Sequence, residues 1–378
     1  MHHIVAVRDT NNHETRVALT PVVCKKLVDL GMQVTLEAGF GERLHLTDSA
    51  YHDVGVTLNA RAEVLAAAGV LVSLHPPAQD DLAQLPEGAA VASFLDPFRQ
   101  ADLIKYLASN KLSALAMELI PRSTYAQKMD ALSSQASLAG YAAVIGAADR
   151  INKALPMMTT PAGTIAPARV FVVGVGVAGL QAIATAKRLG ARVEAYDTRP
   201  VVAEQVASLG AKFVSIDVGE TGQTAQGYAK ALTDEQLAKQ RAQMAKHCAN
   251  ADIIITTAQL FGRPAPRIIT AEMVAGMKPG SIIVDLAAST GGNVEGSKAD
   301  EDVVVDGVTI VGFVNFPGTV ARDASQMYAS NIASLLEHLW DKESKTITFN
   351  LEDDITQGTL LTHQGEIRDE RVREAVNG

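Results

Sequence analysis

Short apolar runs alternate with amphipathic stretches along most of this 378-residue chain. The apolar runs have the length of buried strands, and the amphipathic stretches have the three-to-four-residue spacing of helices. Because parallel strands need a crossover helix between them, this alternation predicts an α/β fold with parallel sheets. The predicted strands of the N-terminal part lie at 4–7, 33–37, 70–74, 89–94 and 113–116, and the predicted helices at 20–31, 59–68 and 101–110.

Two long helical stretches, at about 130–155 and at 322–340, divide this pattern. We therefore predict two Rossmann-like, doubly wound parallel-sheet domains joined by long helices. The N-terminal α/β domain would comprise residues 1–130 plus 341–378, and the second, Rossmann domain with the linking helices residues 131–340. Residues 346–366 are predicted to form a strand and hairpin that return to the first domain.

A glycine motif follows the apolar run at 170–173 and opens into an amphipathic helix that ends near Gly190. Gly174 is expected to make the tight turn. Gly176 is expected to let backbone N–H groups approach a pyrophosphate, and Gly179 to let helix and strand pack closely. Asp197 ends the next apolar run, 21 residues after Gly176, close to the spacing expected of the acid that holds a ribose diol. This context predicts a dinucleotide site and not a turn without ligand.

The choice between NAD and NADP depends on Asp197 and Arg199. An arginine at this position can hold a 2′-phosphate, whereas a carboxylate directed at the 2′ position repels phosphate. Arg199 precedes Pro200, so it can instead begin the next helix or pair with the pyrophosphate. We favour NAD because of the repulsion from Asp197.

The composition limits the kinds of partner. Hydrophobic residues make up 47% of the chain, and the net charge of -9 leaves no basic stripe for a nucleic acid. The two cysteines, Cys24 and Cys248, show no metal-ligand spacing, and we expect no metal site. No apolar run reaches the roughly 18 residues of a membrane span, and no signal peptide is recognisable, so we expect a soluble, cytoplasmic chain.

A second group of polar residues ends the first predicted domain: Arg122, Gln127, Asp130 and Ser133. Asp130 and Ser133 share one helical face, where both could fix an arginine, although an acid in a first turn is equally typical of a helix cap. The predicted position between two domains favours a ligand site. The Gln127 amide could hold a nicotinamide without titrating. No histidine lies between His75 and His247, so a histidine proton acceptor is hard to find near this segment.

Residues 219–228 interrupt the second domain with glycines, small polar residues and Tyr228. A lid that closes over nucleotide and a solvated insertion explain this composition equally well.

Together these motifs resemble the NAD(H)-binding component, domain I, of proton-translocating nicotinamide nucleotide transhydrogenase, in the form in which the soluble part of the α subunit is a separate chain. The resemblance covers the whole sequence. It rests on residues 16–21, 121–122, 126–134, 140–141, 173–181, 197–200, 227–230, 278–281 and 285–287.

The resemblance implies that NADH bound here passes hydride directly to NADP⁺, held by the NADP(H)-binding domain of the β subunit. A separate membrane domain would couple the exchange to proton movement. It also implies a homodimer attached peripherally to the inner membrane through the complex. Around the nicotinamide it implies Arg122, Gln127, Asp130 and Ser133, with Tyr228 on a mobile loop that closes over it. The full set of cofactor contacts that we predict adds Gly174, Gly176, Val177, Ala178, Gly179, Asp197, Thr198, Arg199, Gly227, Gln240 and Gln259.

Two other functions remain open. Alanine dehydrogenase is similar in Arg16 and the glycine turn, but it needs a lysine and a histidine at positions that we align with Ser73 and Asp96; His75 could substitute only with a shift of two residues. Arg16 would then be a structural ion-pair residue. A nucleotide-binding regulator without chemistry would use the same glycine turn. The sequence also departs from the transhydrogenase pattern at Tyr125, where arginine is usual, and at Gln259, where an apolar residue is usual.

Overall fold

The computed structural model describes residues 3–216 and 233–377, and its N-terminal part alternates strands with helices. Helix α1 begins where the sequence indicates, because Pro21 occupies its first turn and the Thr20 hydroxyl accepts from the Val23 N–H. The strands are β1 (His3–Ala6), β2 (Gln33–Glu37), β3 (Thr57–Asn59), β4 (Val70–Val72), β5 (Ala90–Ser93) and β6 (Ser113–Ala116). The helices are α1 (Pro21–Asp29), α2 (Asp48–His52), α3 (Arg61–Ala66), α4 (Gln79–Leu82) and α5 (Ala101–Ser109).

The central part of the chain begins with one long helix, continues through an exposed two-stranded hairpin, and then forms a second α/β sheet. The helices are α6 (Ala131–Arg150), α7 (Val177–Arg188), α8 (Ala203–Ser208), α9 (Asp234–Asn250) and α10 (Ala271–Ala275). The strands are β7 (Met158–Thr160) and β8 (Gly163–Ile165) of the hairpin, followed by β9 (Arg169–Val173), β10 (Arg192–Tyr196), β11 (Lys212–Phe213), β12 (Ile253–Thr256), β13 (Ile282–Asp285), β14 (Asp302–Val305) and β15 (Val308–Val311).

The C-terminal part starts with a second long helix and ends in short elements, including one helix at 354–359 that the hydrophobic pattern did not predict. These elements are α11 (Ala321–Leu339), β16 (Trp340–Asp341), β17 (Thr346–Ile347), α12 (Asp354–Thr359), β18 (Leu360–His363), β19 (Glu366–Ile367) and α13 (Glu370–Asn377). Strand β18 pairs antiparallel with β6, so the C-terminal residues extend the first sheet.

Two large sheets have the same winding. The first has the order β3-β2-β1-β4-β5-β6-β18-β19, with β1 to β6 parallel. The second has the order β11-β10-β9-β12-β13-β15-β14, in which only β14 is antiparallel. In each sheet two strands are added outward on one side of the first strand, and the chain then crosses to its other side. This is the doubly wound Rossmann arrangement, and it confirms the predicted fold class.

The chain divides into two compact units: residues 1–135 with 318–378, and residues 136–317. The sequence pattern assigns α11 to the Rossmann domain, whereas it belongs to the first unit. The reason is packing, since Tyr328, Ile332 and Leu335 of α11 lie in the hydrophobic core formed by the N-terminal elements. No helix among the described residues is long and apolar enough to span a membrane.

Candidate functional site

The glycine turn lies between β9 and α7, as predicted, and its three glycines meet different surroundings. Gly174 has φ +96°, and a Cβ there would lie 2.6 Å from the Thr257 hydroxyl. A Cβ on Gly179 would overlap the Gly174 carbonyl oxygen. Gly176 has an ordinary φ of −89° and an open surrounding, with no atom within 4 Å of an added Cβ. The fold therefore requires Gly174 and Gly179 but not Gly176.

Helix α7 starts directly behind this open space. Its N-cap is Gly176, which provides no side-chain hydrogen bond to the first turn. The N–H groups at the start of a helix lack intrahelical acceptors and lie at the positive end of the helix dipole. Such a helix start, with room above Gly176, fits a pyrophosphate, and residues 176–179 fit the dinucleotide turn.

Asp197 follows β10, the strand next to β9, and its carboxylate is fully engaged. Oδ2 accepts from the Val175 N–H at 2.8 Å and from Arg199 Nη2 at 2.9 Å; Oδ1 accepts from the Arg199 N–H at 2.8 Å and from Arg199 Nε at 2.9 Å. The hydrogen bonds to Asp197 raise the pKa of Arg199 above its usual value. A ribose hydroxyl can be accepted only in exchange for one of these four bonds.

This ion pair bears on the choice between NAD and NADP, because it neutralises the Asp197 charge. From the sequence, Arg199 is expected to begin the next helix or to pair with the pyrophosphate, and a pair with Asp197 is not foreseen. The Asp197 side chain is only 7% exposed and its charge is balanced by Arg199. Repulsion of a 2′-phosphate by this carboxylate is therefore weaker than the sequence argument assumed.

The loop after β12 supports the turn from the neighbouring strand. The Thr257 hydroxyl donates to the Gly174 carbonyl oxygen at 3.0 Å, and the Asn293 amide exchanges hydrogen bonds with both backbone groups of Ala258. Gln259 is exposed, and its amide donates to the Leu286 carbonyl oxygen at 3.2 Å. Thr257 and Asn293 were not recognised in the sequence, because nothing local marks a residue that supports a turn 83 positions earlier.

Three more of the predicted contacts are Gln240, Gly227 and Tyr228. Gln240 is buried on α9, where its amide donates to the Tyr196 hydroxyl at 2.8 Å. It lies in the interior, and its contact with a cofactor stays a prediction. Gly227 and Tyr228 lie outside the described residues.

Gly140 of α6 is a further residue at the turn that sequence reasoning did not assign. A Cβ at Gly140 would overlap the carbonyl oxygen of Ala178, in the first turn of α7. The absence of a side chain therefore lets α6 pass directly against the start of α7. The sequence signal was Gly140 itself, a glycine in the interior of a long predicted helix, where glycine is unfavourable without a packing reason.

In the first unit, Asp130 and Ser133 come together at the start of α6. Asp130 accepts from the Ser133 N–H at 2.9 Å and from its hydroxyl at 2.6 Å, which is the geometry of a helix cap. Arg122 and Gln127 have exposed side chains in the segment before it. Tyr125 is also exposed, and its ring contacts His338 and the Lys128 ammonium.

A cavity of about 350 Å³ lies within the first unit, at the carboxyl ends of β1, β2 and β4. Arg16 and His75 line this cavity. Both contact the buried Glu14 carboxylate, which accepts two side-chain hydrogen bonds from Arg16 at 2.8 and 2.9 Å and is hydrogen-bonded to His75 at 2.7 Å. Burial opposes ionisation of Glu14, but these hydrogen bonds and the Arg16 charge hold its pKa well below the usual range.

Arg16 is thereby committed inside the protein. Its remaining Nη1 donates to Gln135 at 2.8 Å, and the side chain is buried. Of the positions aligned with the alanine dehydrogenase lysine and histidine, Ser73 donates to the His75 carbonyl oxygen and Asp96 sits in a left-handed turn with φ +45°. This arrangement fits the structural ion-pair interpretation of Arg16.

Comparison with known proteins agrees with the site and the fold. Residues 5–139 match the family model "Alanine dehydrogenase/PNT, N-terminal domain", and residues 143–370 match "Alanine dehydrogenase/PNT, C-terminal domain". The chain is 47% identical over 362 residues to the first of the parts that make up NAD(P) transhydrogenase subunit alpha of Rhodospirillum rubrum, with 94% of each chain covered. A crystal structure of transhydrogenase from Sinorhizobium meliloti superposes with a TM-score of 0.86, at 44% identity, covering 96% of this chain and 99% of that one.

Alanine dehydrogenase is a more distant relative. The enzyme from Halomonas elongata is 29% identical over 98% of this chain and 96% of its own. The chain thus belongs to the alanine dehydrogenase/PNT family and, within it, to the NAD(P) transhydrogenase alpha subunits, which are components of an oxidoreductase.

Proposed function

We propose that this chain binds NADH at the glycine turn of the second unit and passes hydride from it to NADP⁺ held on a partner domain of a β subunit. A separate membrane component would couple the exchange to proton translocation. The open space at Gly176, at the uncapped start of α7, is the observation that carries the proposal, because the fold itself does not require a glycine there. Similarity to transhydrogenase alpha subunits supports the same activity.

The ribose end of the site would use Asp197. A carboxylate that already accepts four hydrogen bonds can take a ribose hydroxyl in exchange for one bond from Arg199. Arg199 keeps its other two bonds to the carboxylate in that exchange. Residues 197–199 would hold the adenosine half of NADH, and the first turn of α7 would hold its pyrophosphate.

We propose that Arg122, Gln127, Asp130 and Ser133 hold the nicotinamide. Gln127 is exposed on a short segment, and an amide both donates and accepts without titrating, which suits the nicotinamide carboxamide. Bound NADH supplies a hydride, and NADP⁺ takes it up as NADPH forms, so no proton acceptor takes part. The protein's task is to orient the ring and to exclude water.

The first-unit cavity argues against an amino-acid substrate. A substrate carboxylate would need a cationic partner, and the Arg16 guanidinium is occupied by Glu14 and Gln135. Freeing Arg16 would leave the buried Glu14 carboxylate without its main partner, which is costly. We therefore place the alanine dehydrogenase function second.

We also propose a homodimer that attaches peripherally to the inner membrane, from the cytoplasm, through the transhydrogenase complex. The hairpin of β7 and β8 supports the dimer. All six of its strand residues are exposed, and Met157, Met158 and Ile165 present apolar side chains to solvent. A two-stranded ribbon with an exposed apolar face is marginally stable unless something covers it, and a second copy of this chain would do so.

The test is a stopped-flow absorbance measurement of NADH analogue oxidation by the full chain. We expect oxidation only when an NADP⁺-loaded transhydrogenase β-subunit domain is present. Pyruvate with ammonia serves as the control substrate pair. Turnover with pyruvate and ammonia alone would reject the transhydrogenase proposal and favour an amino-acid dehydrogenase.

Gln127→Asn separates hydride transfer from simple nucleotide binding. The shorter side chain keeps the amide but withdraws it from the ring, so transfer should slow by roughly tenfold or more while NADH binding changes little. Gln33→Asn is the matched control, because Gln33 is also exposed but lies at the amino-terminal end of β2, outside the predicted nicotinamide segment. Equal transfer rates in the two variants would show that Gln127 does not hold the nicotinamide.

A further inference from the structure

The segment 127–134 carries three of the four predicted nicotinamide contacts, and most of its hydrogen bonds are local. Its local bonds run within the turn, from the Asp130 N–H to the Gln127 carbonyl oxygen and from Ser133 to Asp130. Ala126, Met129 and Ala131 are buried in the core, whereas Gln127 faces outward. Apolar burial is non-directional, so by itself it does not fix the orientation of such a short segment against the core.

A single buried amide, Asn331 of α11, joins both sides of this segment. Its Nδ2 donates to the Lys128 carbonyl oxygen at 3.0 Å, and its Oδ1 accepts from the Ser134 hydroxyl at 2.7 Å. The orientation of the amide is determined, because a carbonyl oxygen only accepts and must face the NH₂ group. We call these two hydrogen bonds the Asn331 bridge.

Helix α11 is a firm support for this bridge. The Tyr328 hydroxyl donates to the Ser73 carbonyl oxygen at 2.7 Å, and the Ser325 hydroxyl accepts from the Val17 N–H at 2.9 Å. Ile332, next to Asn331, is fully buried in the core. The helix is thus tied to the sheet, and Asn331 is 7% exposed on it.

We propose that Asn331 is a positioning residue for hydride transfer: it holds residues 127–134 in the position and orientation that let Gln127 and Asp130 orient the nicotinamide. This inference rests on the proposed function, since it assumes that these residues contact the ring. Asn331 does not touch the reacting atoms itself. Its effect passes through Lys128 on one side of the segment and Ser134 on the other.

Two variants weaken the bridge to different extents. Asn331→Asp puts a carboxylate oxygen against the Lys128 carbonyl oxygen, where two acceptors repel each other, and keeps the acceptor for Ser134. Ser134→Ala removes the second bond of the bridge, together with the hydroxyl's contact with the Ala131 carbonyl oxygen at 3.1 Å, and leaves the bond to Lys128. The matched control is Gln326→Glu, an amide-to-carboxylate change on the same helix, whose partners are Thr20 and Ser330.

The first measurement is amide hydrogen exchange of the full chain without nucleotide. Asn331→Asp should raise the exchange rate of residues 127–134 by roughly fivefold to tenfold, the size expected for loss of one hydrogen bond, and Ser134→Ala should raise it less. Gln326→Glu should leave that segment unchanged. Wild-type exchange in both bridge variants would overturn the proposal.

The second measurement is hydride transfer from NADH to an NADP⁺-loaded β-subunit domain. Asn331→Asp should lower the maximal transfer rate roughly tenfold to a hundredfold. The NADH concentration that gives the half-maximal rate should change much less, because a misplaced segment affects the orientation of the ring more than the affinity for NADH. Loosened exchange with unchanged transfer would overturn the positioning role. The Gln127→Asn variant in the same assay reports on the nicotinamide contact alone: if it too transfers normally, Gln127 does not hold the ring and the positioning role falls with it. Absence of transfer in the wild type would instead reject the proposed function, whereas the exchange data would still report on the bridge.

Discussion

Alanine substitutions at two glycines of the turn, Gly176→Ala and Gly179→Ala, should separate the needs of the fold from the needs of a bound nucleotide. Both glycines belong to the same motif and lie three residues apart. From the motif alone, the two substitutions would be expected to impair the protein to a similar extent. Their surroundings in the structure predict opposite results for stability.

Gly179→Ala is expected to destabilise the second unit. The new Cβ would overlap the Gly174 carbonyl oxygen and lie 3.3 Å from the Thr257 hydroxyl, so the helix must move away from the turn. Overpacking of this kind costs roughly 1–3 kcal/mol. A displaced helix start would also bind phosphate poorly.

Gly176→Ala is expected to leave stability nearly unchanged. The backbone conformation suits any residue, and no atom lies within 4 Å of the new Cβ. Alanine restricts the unfolded chain but is a poorer N-cap than glycine, so the free energy of unfolding should stay within about 1 kcal/mol of the wild type.

NADH affinity should fall sharply in Gly176→Ala despite the intact fold. The methyl group would occupy the space through which a pyrophosphate reaches the helix N–H groups. Loss of one or two such hydrogen bonds, at roughly 1.5 kcal/mol each for a charged acceptor, raises the Kd about tenfold to a hundredfold.

The assay pairs urea unfolding of each variant with a titration of NADH fluorescence. We expect normal stability with weak binding for Gly176→Ala, and reduced stability for Gly179→Ala. Wild-type NADH affinity in a stable Gly176→Ala protein would refute the placement of the pyrophosphate at this turn.

Two further predictions concern the first unit and the hairpin. Burial raises the pKa of Glu118 to about 7, although its carboxylate accepts from the Leu95 and Asp96 N–H groups, so its contribution to stability is complete below pH 4.5 and is lost as the pH rises through 7. Glu118→Gln should therefore match the wild type near pH 4.5 and exceed it by up to about 3 kcal/mol at pH 8 in urea unfolding, and a difference that does not vary with pH would contradict this. Met158→Asp, opposite Ile165 in the hairpin, should convert a wild-type dimer into a 39.9 kDa monomer in sedimentation equilibrium, whereas an unchanged mass would exclude the hairpin as the dimer contact.

The glycine turn could be recognised from the sequence because its elements are local. Gly174, Gly179 and the helix after them lie within one strand-turn-helix unit, and short-range geometry decides their conformation. The pairing of Asp197 with Arg199 is equally local, yet it was missed, because several partners were possible for Arg199 and only the folded geometry selects one.

The remaining features of the site depend on distant contacts. Gly140 meets Ala178, 38 positions later in the sequence, and Asn331 meets Lys128 across a separation of 203 residues. No periodicity or local motif encodes such a meeting. The same reason explains the misplaced helix α11, whose amphipathic pattern shows that it must be buried but not against which sheet.

The sequence by itself determined the α/β class, most strands and helices, the dinucleotide turn and the resemblance to the transhydrogenase component, because these depend on periodicity, glycine geometry and short motifs. Only the tertiary structure decided that Glu14 neutralises Arg16, that Arg199 saturates Asp197, and that Gly176 is free of steric demand. Each of these ion pairs joins residues only two positions apart, yet the partner that a charge takes and the space around a glycine depend on all the groups that the fold packs around them.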